Sequence, residues 1–261
     1  MKIDLRGLHA VVGGATRGLG LATARQLAAS GATVTLMARN ETKLKAALDG
    51  LPKPEGQLHD FLEVDYRNFP DFQQRSTQFF EGKKVDILVN NTNGPTAGNV
   101  DQKSTEEYQE AFDLLFKTYH HLSHLLVAGM KSRGFGRILN VSSVSVKEPL
   151  PNLVLSNSIR TAIVSWAKTL ADAVAPYGVT VNSILTGAFE TERIRELTEN
   201  QAQNSDKSLE ELMEARKASI PAQRFGKPEE YGYLLTFLAS PQAAYITGTS
   251  IPIDGGAIKG L

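Results

Sequence analysis

Short apolar runs alternate with stretches of helical period along most of this chain. Leu8 to Val12 is compact enough for a buried strand, and Leu19 to Ala29 sets Leu21, Ala24, Leu27 and Ala28 on one side of a helix that Ser30-Gly31 ends. Thr33 to Ala38 predicts a second strand. Asn40 is placed to cap a helix from Glu41 to Leu48, which Gly50 closes; after a polar Pro-Gly loop, Leu58 to Val64 predicts a third strand. A helix from about Phe69 to Phe80 precedes the apolar run Val85 to Val89, which ends in the amide-rich loop Asn90-Asn91-Thr92-Asn93-Gly94-Pro95.

The same alternation continues. Ser104 with Glu107 forms a capping box at the head of a long helix reaching about Arg133, and Arg137 to Val141 is the fifth strand. A second long helix covers roughly Asn152 to Val174, Val179 to Ile184 is a sixth strand, Pro228 opens a helix to about Ala239, and Ser250 to Ile253 supplies a seventh. This order predicts a parallel sheet with helices on both faces. One polar interruption, at about 190–220, contains two charged helical stretches. Its place after the C-terminal end of a strand makes it a candidate lid over a ligand, with a solvated helical excursion as the alternative.

Composition narrows the picture. At 261 residues and 41% hydrophobic, the chain can bury a sizeable core, and no linker divides it, so residues 1–261 are expected to form a single domain. Acidic and basic residues balance at 28 each, which points to neither a nucleic acid nor a membrane surface as partner. The absence of cysteine excludes disulfides and thiol nucleophiles. Met-Lys-Ile-Asp-Leu-Arg-Gly leads into the first strand without an apolar signal core, so a cytoplasmic protein is the expectation.

The glycine-rich turn after the first strand is the main chemical motif. Gly14, Gly18 and Gly20 permit a tight reversal and close backbone approach, and the helix that follows aims unpaired N–H groups at an anion, such as a dinucleotide pyrophosphate. Gly13-Gly14-Ala15-Thr16-Arg17-Gly18-Leu19-Gly20 resembles the TGxxxGxG turn of the short-chain dehydrogenase/reductase family, with Gly13 in the threonine's place. Asn90-Asn91-Thr92-Asn93 resembles its NNAG segment, and Arg137-Ile138-Leu139-Asn140-Val141-Ser142-Ser143 its strand ending in the catalytic serine. The tail from Ile220-Pro221 through Arg224-Phe225-Gly226-Lys227-Pro228-Glu229-Glu230, with Ile246-Thr247-Gly248 and Asp254-Gly255-Gly256, is similar to bacterial β-ketoacyl-carrier-protein reductases.

The resemblance implies a doubly wound, seven-stranded parallel α/β sheet of Rossmann type, ordered 3-2-1-4-5-6-7. It also implies a homodimer or homotetramer built through the two long helices and the C-terminal tail. Ala38 ends the second strand where an NAD-using relative holds an acid, and Arg39 and Arg17 can reach a 2′-phosphate, so NADP(H) is the expected cofactor. Its binding set would be Gly14, Thr16, Arg17, Gly18, Leu19, Gly20, Arg39, Asp65, Asn91, Thr92, Arg160, Gly187 and Thr191. Asp65 has the competing reading of a loop aspartate receiving local N–H groups. Thr191 has that of a helix N-cap. In Asn182-Ser183-Ile184-Leu185-Thr186-Gly187, Thr186 stands where the family has proline.

The family's tetrad of Asn, Ser, Tyr and Lys is largely replaced. The interval of thirteen residues from Ser143 reaches Ser156, four more reach Arg160, and Leu115 falls at the asparagine. A phenol beside an ammonium on one helix face makes a proton donor; a serine hydroxyl is far less acidic, and arginine stays charged. Ser143, Lys147, Ser156 and Arg160 are therefore the candidate catalytic groups, with Lys147 or water as proton source. A solvated loop lysine paired with Glu148 is the competing reading of Lys147. Tyr119, one turn beyond Leu115, reads as packing, and His120, His121 and His124 as a polar helix face or subunit contact, with no metal site expected. The implied function is an atypical NADP(H)-dependent oxidoreductase reducing a carbonyl on a small or acyl-carrier-linked substrate. Two alternatives stand beside it: a silent NADP(H)-binding protein or partner subunit, and a lyase or isomerase reusing the cleft.

Overall fold

Seven parallel strands form one sheet in the order β3-β2-β1-β4-β5-β6-β7. The structure is a computed structural model that describes residues 3–203 and 205–260. The strands are β1 (His9–Gly13), β2 (Thr33–Ala38), β3 (Asp60–Glu63), β4 (Ile87–Asn90), β5 (Gly136–Ser143), β6 (Val179–Thr186) and β7 (Ser250–Ile253). The helices are α1 (Gly18–Ala29), α2 (Glu41–Asp49), α3 (Phe69–Phe80), α4 (Thr105–Phe112), α5 (Thr118–Arg133), α6 (Val154–Val174), α7 (Glu192–Ala202), α8 (Leu209–Ser219) and α9 (Pro228–Ala239).

Alternation along each strand feeds two apolar layers. Ala10 and Val12 of β1 pack into one with Leu27 of α1 and Leu235 of α9, whereas Val11 enters the other with Leu122 of α5 and Ile163 of α6. With both sheet faces covered by helices, the edge formed by the strands' C-terminal ends is where an open α/β sheet takes a ligand. Strand order reverses between β1 and β4, which opens a crevice there.

Local signals set most boundaries. Asn40 Oδ1 accepts from the Lys43 amide at 2.8 Å at the head of α2, and Ser104 and Glu107 cap each other at the head of α4. Two expectations are corrected. The helix predicted to run unbroken to Arg133 passes through a π-helical turn at Asp113–Lys117, where Thr118 Oγ1 donates to the Asp113 carbonyl at 3.3 Å. Leu58 lies outside β3 and is 88% exposed. There the His59 ring replaces a ladder bond: its Nδ1 receives the Val34 amide at 3.1 Å.

Candidate cofactor and catalytic cleft

Where β1 ends, the chain must turn in little space. Gly14 (φ 56°) and Gly18 (φ 54°) take left-handed conformations that side chains disfavour. A Cβ at Gly20 would fall within contact distance of the Gly14 carbonyl oxygen. Asn91 braces the turn from behind, its Nδ2 donating to the Gly13 carbonyl at 3.0 Å. α1 starts without a side-chain cap at Arg17, so its first N–H groups face the turn.

The turn forms one wall of a cleft of about 480 Å³. Gly14, Arg17, Gly18, Leu19 and Gly20 line this wall, while Arg39, Asn91 and Thr92 come from the ends of β2 and β4. Facing them are Ser143 from the end of β5, Ser156 and Arg160 from α6, and Gly187 and Thr191 from the segment after β6. Thr16 and Asp65 line an adjoining hollow of about 240 Å³, into which Arg17 and Arg39 also project. The Thr92 and Ser142 hydroxyls are buried against the cleft and have no hydrogen-bond partner among the described residues. Bare glycine turn, uncapped helix and orphaned hydroxyls together fit a dinucleotide.

Ser143 Oγ accepts from the Ser145 amide at 3.1 Å, which leaves its own proton free to donate. On α6, Arg160 Nε donates to Ser156 Oγ at 3.2 Å and Nη1 to the Val141 carbonyl at 2.5 Å. Tyr119, whose favoured sequence reading is packing, is fully buried, and its hydroxyl donates to the same carbonyl at 3.0 Å. Burial pushes the Tyr119 phenol up, and the charge of Arg160 opposes that shift. Tyr119 therefore enters this polar network from behind, while Leu115 is buried in the π turn.

Lys147 does not join them. The strand leaves through a 3₁₀ turn at Val144–Val146 that carries Lys147 into solvent, outside the residues lining either cavity. Its neighbour Glu148 accepts instead from the Lys259 and Gly260 amides.

Arg17 is engaged by α7, forming ion pairs with Glu192 and, at 3.2 Å, with Glu196. Asp65 Oδ1 accepts from the Arg67 amide at 3.0 Å, the local bond its competing reading describes. Thr191 sits at the N-cap of α7 without capping it; its hydroxyl donates to the Phe189 carbonyl at 3.4 Å. His121 meets Ser76 at 2.9 Å among Phe69 and Phe72, whereas His120 and His124 stack in line with Phe116.

Arg193 is one of the charged lining residues, with Arg67, Glu192 and Glu196, that sequence reasoning missed; the structure fixes its contacts. Its Nη2 donates to the Pro95 carbonyl at 3.3 Å, and its Nη1 lies 3.7 Å from Glu196. A basic residue in the first turn of a helix, where the dipole disfavours it, was the available signal.

An open parallel sheet with a glycine turn and a serine-bearing cleft at its reversal point defines a dinucleotide-dependent enzyme class. The comparisons give the family. The enoyl-(acyl carrier protein) reductase family model matches residues 14–257, and the chain belongs to the short-chain dehydrogenase/reductase family. It is 33% identical over 258 residues to the 3-oxoacyl-[acyl-carrier-protein] reductase FabG of Vibrio cholerae, covering 97% of this chain and 98% of that one. It is 28% identical to the NADPH-dependent reductase BacG of Bacillus subtilis, covering 97% and 98%. Among solved structures, L-sorbose reductase of Gluconobacter frateurii, complexed with NADPH and L-sorbose, superposes with TM-score 0.92 at 28% identity and 100% coverage of both chains.

Proposed function

We propose that this protein binds NADP(H) and reduces a carbonyl on a small or acyl-carrier-linked substrate. The observation that carries the reading is that Ser143, Ser156 and Arg160 line the same cleft as the glycine turn. For the cofactor, the support is Ala38 in place of an acid, the two arginines Arg17 and Arg39 at the hollow beside the turn, and the NADPH used by BacG and bound to the sorbose reductase.

The cofactor, when bound, supplies a hydride. The chain's residues prepare the oxygen. Ser143 donates to the substrate carbonyl through its free proton. Ser156, whose oxygen already receives Arg160 Nε, directs its own proton outward and donates a second hydrogen bond. Arg160, held by Val141, stabilises the negative charge that develops on that oxygen. A guanidinium keeps its protons and Lys147 lies at the surface, so water supplies the proton. The α7–α8 pair serves as a lid over the cleft, a role supported by the contacts of Arg17 with Glu192 and of Arg193 with Pro95. Homodimeric or homotetrameric assembly belongs to the same proposal and is read by light scattering.

A broad carbonyl panel tests the reading. Cofactor oxidation with at least one substrate supports it, whereas protein that binds NADPH and oxidises none refutes it. One observation favours the silent reading: the cleft-lining residues described include no tyrosine, lysine or histidine. A Ser156→Tyr, Arg160→Lys variant that gains activity over an inactive parent would support that alternative.

A further inference from the structure

The charge of the cleft is one-sided. Among the described residues lining it, Arg17, Arg39, Arg67, Arg160 and Arg193 stand against Glu192 and Glu196. Arg17, Arg39 and Arg67 also line the hollow beside the glycine turn, where a dinucleotide places its phosphates. Arg160 and Arg193 do not. They share the cleft with Ser143 and Ser156, where the nicotinamide end brings no phosphate.

Arg160 is 7% exposed, and its partners are neutral oxygens, those of Val141 and Ser156 with the Tyr119 hydroxyl beside them. No ion pair of Arg160 occurs among the described residues. A guanidinium cannot escape burial by losing a proton, so a buried one is an incomplete pair awaiting an anion. Arg193 is similarly short of charge: its acidic partner, Glu196, is also held by Arg17. Burial first, and then the charges of Arg160 and Arg17, push the Arg193 guanidinium down against the pull of Glu196.

We propose that Arg160 and Arg193 form an anion subsite and that the substrate is a small oxo acid with its carboxylate one or two carbons from the reducible carbonyl. This deepens the carbonyl-reduction reading and rests on it. Arg160 Nε is 3.2 Å from Ser156 Oγ, so an anion on the rest of the guanidinium lies beside the oxygen that Ser156 addresses. A carboxylate suits the remaining guanidinium donors as a charge-assisted acceptor, whereas a thioester presents no charge there. In the reaction, the carbonyl carbon gains a hydride from reduced nicotinamide, the C–O π pair moves to oxygen, and that oxygen takes a proton from water. The products are a hydroxy acid and oxidised nicotinamide, with hydroxide passing to buffer.

The test compares pyruvate and acetoacetate with their methyl esters in two ways: kcat/KM with NADPH, and calorimetric binding to protein saturated with NADP+, where no turnover occurs. The acids are expected to exceed the esters by at least about tenfold in both, and Arg193→Gln to shrink that ratio about tenfold. Esters reduced and bound as well as acids would overturn the anion subsite while leaving carbonyl reduction intact. Charge-dependent binding of the acids, lost in Arg193→Gln, with no turnover of any carbonyl, would uphold the subsite and overturn carbonyl reduction. The absence of any acid-over-ester preference, in both binding and rate, would overturn the subsite.

Discussion

Arg160 and Ser156 are joined through Nε and Oγ at 3.2 Å on successive turns of α6, and Arg160 is anchored in turn on the Val141 carbonyl. A hydroxyl whose oxygen is occupied by a cationic donor is polarised towards giving its own proton in a hydrogen bond. Removing one such donor to a developing oxyanion costs about 100- to 1000-fold in rate. Ser156→Ala is therefore expected to lower kcat about a hundredfold with a smaller change in KM. Arg160→Lys is expected to lose activity too, because an ammonium cannot hold Ser156 and Val141 in the same fork. Steady-state kinetics on both variants checks this pair of outcomes.

Cofactor choice is expected to reside in Arg39. It is exposed at the end of β2 and borders the hollow beside the glycine turn. A charge-assisted bond to phosphate contributes about 1.5–3 kcal/mol, so Arg39→Ala should weaken NADPH about 10- to 100-fold and leave NADH nearly unchanged. Fluorescence titration with the two cofactors measures the difference.

Glu192 and Glu196 hold Arg17, so a cofactor phosphate that reaches Arg17 must compete with them. Exposed ion pairs of this kind contribute up to about 1 kcal/mol. The double variant Glu192→Gln, Glu196→Gln should thus tighten NADPH by up to about fivefold, and the gain should fade as salt is raised. Titrations at low and high ionic strength would reveal it. Unchanged affinity would mean that the pairs persist with the cofactor bound or contribute nothing in the free protein.

Stability should carry a histidine signature. His9 bridges the Lys84 carbonyl at 2.7 Å and Thr35 Oγ1 at 2.8 Å, and burial pushes its pKa below the ordinary 6.5. A group depressed in the folded state contributes stability that is complete above its unfolded pKa and is lost as pH falls towards the folded one. Tm should decline between about pH 7.5 and 5, and His9→Gln should flatten part of that decline. Thermal melts across that range provide the comparison.

The fold was readable because its signals are local. Asn40, Ser104 with Glu107, and the β-branched runs each announce an element within a few residues, and the alternation of strand and helix then limits the sheet order. The π turn at Asp113–Lys117 was not readable, since one widened turn leaves the surrounding helical period intact. Side-chain direction was harder still. Lys147 lies only four residues past Ser143 yet leaves the cleft with the 3₁₀ turn, while Tyr119 reaches the Val141 carbonyl from another helix. Arg193 lies in a charged helical stretch that the sequence does not tie to the cleft; its place in the lining and its bond to Pro95 do so.

The most direct measurement of the central claim uses NADPH carrying deuterium at the transferable C4 position, incubated with the protein and an oxo acid such as acetoacetate, with products read by mass spectrometry. Carbonyl reduction predicts deuterium on the new carbinol carbon and an equal amount of NADP+. An accepted substrate that turns over without gaining deuterium, or a panel in which NADPH binds and no deuterium ever leaves it, would contradict the account.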